Sequence, residues 1–255
     1  MILPATPFAL ERHMLAPLAE GLPHLLGLGD GLTVRILREP TMGRIIPDLL
    51  VGAWPLERAP RAYAATTWID AHVRALVERE GVVAVEAVRG RLYLSPKAAA
   101  ASEARLLRHG LIAHADGTHA DPSWTLVPGA ETTGLEIVAV EAKLSRWQDA
   151  VAQAANYLTF ADRAYVVLDG NRVDVTPALL DAVAAARVGL VLQHGRVLRH
   201  VVPVPAQPAP RTPERVLAVT KLVTERGGRA FRVLRGRARR GASASDVELG
   251  LTAIS

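Results

Sequence analysis

The sequence predicts an α/β protein, in which a mixed sheet flanked by helices carries a mainly helical insertion. The strongest observation is an apolar strand over residues 135–144, which is followed by alternating helices and strands. Two short apolar strands near the start suit the same sheet, and residues 57–133 then show helical spacing of apolar side chains. Because strands that alternate with helices pair in parallel through crossovers, these patterns favour a sheet with parallel pairs.

The first 56 residues are predicted to form a helix and a hairpin. Thr6 can cap a helix over residues 6–19, Pro7 suits its first turn, and apolar side chains recur there at helical spacing. Strands are predicted over residues 32–37 and 44–51, joined by a turn that contains proline and glycine.

The insertion at residues 57–133 is predicted to contain two helices and a small hairpin. Apolar spacing marks a helix near residues 68–77, and Ser95-Pro96 starts a second one. Residues 111–113 and 124–127 then suit the two strands of the hairpin.

This order resembles a winged helix-turn-helix, a DNA-binding fold. Residues 106–112 are similar to that family's passage from the recognition helix to the wing. The resemblance implies an insertion that docks DNA, whereas a helical insertion that serves only for packing is the alternative.

The C-terminal half continues the sheet and ends in a basic segment. After the strand at 135–144, a helix, a strand, a helix and a strand are predicted. They cover residues 147–160, 164–168, 177–187 and 188–193. Residues 203–213 are proline-rich and predict a stiff linker to a basic C-terminal segment at 214–255.

Positive charge is concentrated in that basic segment. Residues 211–240 hold ten Arg or Lys against two Glu, although the whole chain carries only +5. We expect such a segment, and above all residues 226–240, to attract nucleic acid, because neutralised phosphates release counterions. A solvated basic tail is the alternative.

Several function classes are not indicated by the sequence. The chain has no cysteine, which excludes thiolate metal sites and a cysteine nucleophile. Neither a dinucleotide fingerprint, a phosphate-loop lysine motif nor a serine nucleophile elbow is present, and the histidine spacing matches no common zinc site. We expect no nucleotide cofactor and no membrane span, and a cytoplasmic location.

Two charged residues end the apolar strand at 135–144. Side chains alternate along a strand, so Glu141 and Lys143 share one face, with Ile137 and Ala139 before them. Burying such charges costs several kcal/mol unless they pair or coordinate something. Lys143 is one of only three lysines beside 27 arginines, so a compact ammonium was selected there. An ion pair within the strand is the alternative.

A second carboxylate, Asp48, stands in an apolar strand after Pro47. A Pro-Asp on one strand and a Glu-x-Lys on its neighbour resemble the PD-(D/E)XK nuclease superfamily. The resemblance covers residues 6–200 and implies a restriction-endonuclease-like core of αβββαβ order. The spacing of 93 positions from Asp48 to Glu141 exceeds the family's usual spacing, so residues 57–133 must be an insertion between the two motif halves.

The resemblance also implies the roles of the site residues. Asp48 and Glu141 would hold Mg²⁺, with Mn²⁺ as the alternative ion, because carboxylate oxygens are hard ligands. The cation would activate a water for attack on the phosphate, and Lys143 would contact that water or a phosphate oxygen. Glu11 on the first helix and Gln153 on the helix after the motif strand match further family positions, whereas a solvated helix glutamate and a surface glutamine are the respective alternatives.

The predicted function is therefore an Mg²⁺-dependent endonuclease that acts on double-stranded or branched DNA. Its core would combine residues 1–56 and 134–202. A homodimer would suit cleavage of both strands. A non-catalytic winged-helix DNA-binding regulator on a degenerate nuclease-like scaffold is the alternative. A protein-interaction subunit whose basic tail binds an acidic partner is a third hypothesis.

Overall fold

The computed structural model describes most of the chain and confirms a mixed α/β fold. Side chains are described for residues 6–28, 31–57, 60–115, 122–208 and 210–225, and only the backbone for 229–232 and 252–253. No helix in this described part is long and apolar enough to cross a membrane. The side chains of the predicted basic stretch 226–240 lie outside the described residues.

The strands form one large sheet and one small sheet. The strands are β1 (Leu32–Arg38), β2 (Leu49–Pro55), β3 (Val82–Ala84), β4 (Ile112–His114), β5 (Ser123–Leu126), β6 (Glu136–Lys143), β7 (Arg163–Asp169), β8 (Gly189–His194), β9 (Val197–Val202), β10 (Arg229–Arg232) and β11 (Thr252–Ala253). The large sheet has the order β11-β10-β1-β2-β6-β7-β8-β9, and the small sheet has the order β3-β5-β4. In the large sheet β6, β7 and β8 are parallel, and the remaining pairs are antiparallel.

Helices cover both faces of the large sheet. The helices are α1 (Arg12–Leu25), α2 (Trp68–Glu80), α3 (Val85–Arg91), α4 (Pro96–Arg108), α5 (Trp147–Tyr157), α6 (Pro177–Ala186) and α7 (Pro213–Thr224). Ile137 and Ala139 of β6 belong to the core beneath α5, α6 and α7, and Val138 and Val140 belong to the core beneath α1. The predicted alternation along this strand is therefore confirmed.

The inserted segment has a hydrophobic core of its own. Its helices α2, α3 and α4 enclose Val73, Leu76 and Leu106 together with Trp124 of β5. Thr67 and Asp70 form a capping box at the start of α2, and the Ser95 hydroxyl caps α4 as predicted. The hairpin of β4 and β5 is also confirmed, and β3 adds a third strand to it.

The first helix begins later than predicted. Residues 6–19 were expected to be helical, but α1 starts at Arg12, with Glu11 as its N-cap residue. The preceding segment is tied down elsewhere, because the Phe8 amide donates to Asp169 at 2.9 Å and Arg172 donates to the Phe8 carbonyl at 2.7 Å. Those contacts hold residue 8 outside a helix.

The strand predicted over residues 44–51 is displaced as well. Residues 42 and 45 form a tight backbone bridge, and β2 begins only at Leu49. Pro47 has no amide hydrogen to donate to a neighbouring strand, which is why regular pairing starts after it. Asp48 therefore stands just before the strand and not inside it.

Several elements near the C-terminus were not anticipated, namely β9, α7 and the strands β10 and β11. β9 closes the edge of the sheet, and α7 occupies the start of the segment predicted to be a basic tail. α7 packs on β2 so closely that a Cβ on Gly52 would lie 2.7 Å from Leu222. The Arg215 side chain of α7 is fully buried and pairs with Asp162 at 3.1 Å. This part of the basic segment therefore belongs to the core.

Candidate metal site

The two halves of the predicted motif meet where β2 begins and β6 ends. β2 runs antiparallel to β6, and Leu49 lies opposite Val140. Asp48 therefore stands beside Glu141, and its Oδ2 accepts a hydrogen bond of 2.7 Å from the Ala142 amide. The two carboxylates are 93 positions apart in the sequence, and residues 57–133 between them do not prevent β2 from pairing with β6.

The Glu141 side chain is held from two sides. Glu141 is only 2% exposed, and its Oε1 lies 2.7 Å from the Lys143 ammonium. The Tyr157 hydroxyl of α5 donates to Oε2. A carboxylate offers about four lone-pair positions, so these two hydrogen bonds orient Glu141 and leave positions for a further ligand.

Lys143 also faces a third carboxylate. Its Nζ lies 3.5 Å from Glu11 Oε2, which brings the N-cap residue of α1 to the site. Burial tends to lower the pKa of Lys143, but the hydrogen bond and charge of Glu141 outweigh it, and the pKa is raised. Lys143 is therefore a firmly protonated donor.

No ion pair to Asp48 is formed within the described part of the chain. Burial raises the pKa of Asp48 to about 6, and the nearby charges of Glu141 and Glu11 add to this effect. The Ala142 amide and the Lys143 charge oppose it only in part. Three carboxylates thus share one ammonium group, which leaves two excess negative charges when all are ionised.

A surface cavity opens beside these residues. Its volume is about 310 Å³, and its walls are formed by Lys143, Arg146, Asp149, Ala152 and Gln153. Gln153 is exposed on α5 and shares this cavity with Lys143, as expected for a residue near the site. In the described part of the chain no hydrogen bond joins Gln153 to the carboxylates.

Tyr157 is the site residue that the sequence interpretation missed. It stands four residues after Gln153, so both side chains project from the same side of α5. That spacing was the available signal, but a buried tyrosine on an apolar helix face is usually a packing residue. Its hydrogen bond to Glu141 becomes visible only when α5 is packed on β6.

The donor set suits a hard divalent cation with few protein ligands. Among the described residues, no group of three or more His, Cys, Asp or Glu side chains is arranged to hold a metal ion. Asp48 and Glu141 therefore provide two carboxylates, and water and phosphate oxygens would have to complete the coordination, as is common for Mg²⁺. The excess negative charge around Asp48 is what such a cation would neutralise.

Comparisons with known proteins give no functional assignment. No protein-family model matches the chain, and no curated protein is significantly similar to it. A solved structure of a protein of unknown function from Silicibacter pomeroyi is 26% identical, covers 46% of this chain and 75% of that one, and has a TM-score of 0.26. A TM-score this low supports no conclusion about fold or activity.

Proposed function

We propose that this chain is an Mg²⁺-dependent endonuclease with a PD-(D/E)XK-type core that hydrolyses DNA phosphodiester bonds. One observation carries the proposal: Asp48 lies directly beside the Glu141-x-Lys143 strand end, and Lys143 at that end lines an open cavity. The placement of β2 against β6, with the strand-helix-strand unit β6-α5-β7 following, supports the same core.

Each residue at the site has a chemical task in this proposal. Asp48 and Glu141 would hold the cation, which when bound would neutralise the phosphate and acidify a water. Lys143, protonated and at the cavity wall, would donate to a non-bridging phosphate oxygen, where negative charge increases in the transition state. Tyr157 and Ala142 would orient the two carboxylates through their hydrogen bonds.

The insertion supports a DNA-docking role of the winged-helix type. Its elements follow the order α2-β3-α3-α4-β4-β5, and the small sheet has the order β3-β5-β4. In this arrangement α4 would be the helix that enters a groove. Lys97 and Arg108 are exposed near its two ends, where they can contact phosphates.

The test is cleavage of supercoiled plasmid and branched DNA with Mg²⁺ by wild type, Lys143→Ala and Asp48→Asn. We expect the wild type to cut and both variants to lose about 10²–10³-fold in rate, while they still bind DNA. Asp149→Ala is a suitable control, since it removes an exposed carboxylate at the same cavity that is not assigned to the cation.

The regulator hypothesis predicts the opposite result. It is favoured by the insertion, whose own core and winged-helix-like element order do not depend on the carboxylate site. Wild type that binds DNA tightly but cuts none of the substrates with Mg²⁺ or Mn²⁺ would support the regulator and contradict the nuclease.

A further inference from the structure

The segment that leads into Asp48 is a rigid loop at the edge of the candidate site. This loop, residues 42–48, is called the site loop here. Met42 is fully buried, and its backbone exchanges hydrogen bonds of 2.8 and 3.1 Å with Ile45. At the other end Asp48 is anchored to the β6 backbone. Both ends of the loop are therefore fixed by the core.

The middle of the site loop is fixed as well. The indole of Trp68, the first residue of α2, packs over Gly43, where an added Cβ would lie 3.1 Å from the ring. Gly43 has a φ of 65°, a left-handed conformation that glycine adopts without strain. The Tyr157 hydroxyl lies 3.4 Å from the Ile46 carbonyl. Trp68 of the inserted segment and Tyr157 of α5 thus hold the loop from two sides.

The site loop and the adjoining Trp68 nevertheless leave large side-chain surfaces exposed to solvent. Ile46 is 53% exposed and Trp68 is 43% exposed, although most large apolar residues of the chain are buried. Arg44 of the site loop is also exposed, and it forms no ion pair with any described residue. A fixed backbone that presents an apolar side chain, an indole and a guanidinium is suited to contact a ligand that is both apolar and anionic.

We propose that Arg44, Ile46 and Trp68 form a contact surface for unpaired nucleic-acid bases beside the scissile phosphate. This inference rests on the proposed nuclease function and specifies its substrate as DNA with a single-stranded or branched segment at the cut. In a continuous duplex the faces of the bases are covered by their neighbours, so an indole or isoleucine can reach them only where the strand is unstacked. Arg44 would bind the adjoining phosphate.

The test is binding without cleavage, with Ca²⁺ in place of Mg²⁺. Three labelled DNAs of the same sequence are compared: a single strand, a fork with unpaired arms and a continuous duplex. We expect the wild type to bind the fork at least tenfold more tightly than the duplex. Ile46→Ala and Trp68→Ala should reduce that preference about tenfold, and Trp68→Phe should retain most of it.

Matched controls separate base contact from general damage. Val197→Ala removes an apolar side chain that is 58% exposed on β9, and it should leave the fork preference unchanged. A 2-aminopurine in the unpaired arm reports stacking directly: its fluorescence should be quenched by wild type and Trp68→Phe, but not by Trp68→Ala. Because Trp68→Ala removes the packing over Gly43 and can alter the loop, Ile46→Ala tests the contact surface without removing that packing.

The outcomes distinguish this inference from the proposed activity. Fork preference that depends on Trp68 and Ile46 supports the contact surface even in a protein that cuts nothing. Equal binding of fork and duplex, or a preference that survives both alanine variants, overturns it even if cleavage is found. A protein that binds none of the three DNAs overturns both proposals.

Discussion

Two partly or fully buried aspartates in this protein have opposite environments. Asp70, at the start of α2, is 0% exposed and accepts hydrogen bonds from Tyr63 at 2.5 Å, Ser102 at 2.6 Å and Arg105 at 2.8 and 2.9 Å. Among the described residues, Asp48 accepts one hydrogen bond, from the Ala142 amide, and it faces other carboxylates. One charge is fully satisfied by its surroundings, and the other is not.

The pKa values follow from this difference. Burial alone would raise the pKa of Asp70, but its hydrogen bonds from Arg105, Ser102 and Tyr63 hold that pKa well below its usual range. Burial and the negative charge of Glu141 instead raise the pKa of Asp48 to about 6. A satisfied carboxylate stabilises the fold, whereas an unsatisfied one beside other carboxylates is a candidate for binding a cation. Four predictions test whether this contrast holds.

The largest effect is expected from Asp70→Ala. It removes the acceptor that joins α2 to α4 and leaves buried hydroxyl and guanidinium donors without a partner, at a cost of about 3 kcal/mol in the free energy of unfolding. Urea denaturation at pH 7 measures this. The control Asp149→Ala breaks an exposed pair with Arg146 and should cost under about 0.5 kcal/mol. Similar losses in the two variants would contradict a structural role for Asp70.

Asp48→Asn should stabilise the protein. The pKa of Asp48 is higher in the folded state, about 6, than the ordinary value of 3.8, so its ionisation destabilises the fold as pH rises between these values. Asparagine keeps the acceptor for Ala142 without the charge. We expect a gain of about 1–2 kcal/mol above pH 7 in EDTA, after allowance for solvent screening, and no gain near pH 4. A loss of stability at pH 8 would show that Asp48 is a structural residue.

Divalent-ion affinity should depend on the same ionisation. Only the ionised Asp48 can hold a cation, so affinity should fall about tenfold for each pH unit below 6 and level off above it. Calorimetric titration with Mn²⁺ between pH 5 and 8 measures this profile. A midpoint near 4 would mean that neither burial nor the neighbouring carboxylates raise the pKa of Asp48.

The smallest effects come from a matched pair of tyrosines, each of which donates to a buried carboxylate. Tyr157→Phe removes a donor to Glu141 and should weaken Mn²⁺ binding about three- to tenfold, because Glu141 is less well oriented. Tyr63→Phe removes a donor to Asp70 and should lower the free energy of unfolding by about 1 kcal/mol without changing Mn²⁺ affinity. The contrast between the two aspartates would be wrong if Tyr63→Phe weakened Mn²⁺ binding and Tyr157→Phe left it unchanged.

Much of the fold was predictable because its signals are local. The strand that ends in Glu141 and Lys143 follows from alternation over a few residues, and the start of α4 follows from Ser95 and the proline after it. The predicted start of a helix was wrong where a contact with a distant residue intervenes. α1 begins late because Asp169, far along the chain, binds the Phe8 amide.

The candidate site was predictable in its residue types but not in its geometry. Glu141 and Lys143 stand out as charges in an apolar strand. Tyr157 does not stand out, because its role depends on how α5 is packed. α7 was not predicted as a core helix, because the burial of Arg215 depends on its tertiary contact with Asp162.

The sequence by itself determined the strand that ends in Glu141 and Lys143 and the start of α4 at Ser95, because these depend on neighbours within one or two turns. Only the tertiary structure decided that Asp48 meets Glu141, that Glu11 reaches Lys143 and that Trp68 covers Gly43. Those contacts join residues far apart in the chain. They form only when apolar surfaces of β2, β6 and α2 are buried together, since burial, not local periodicity, determines which distant elements become neighbours.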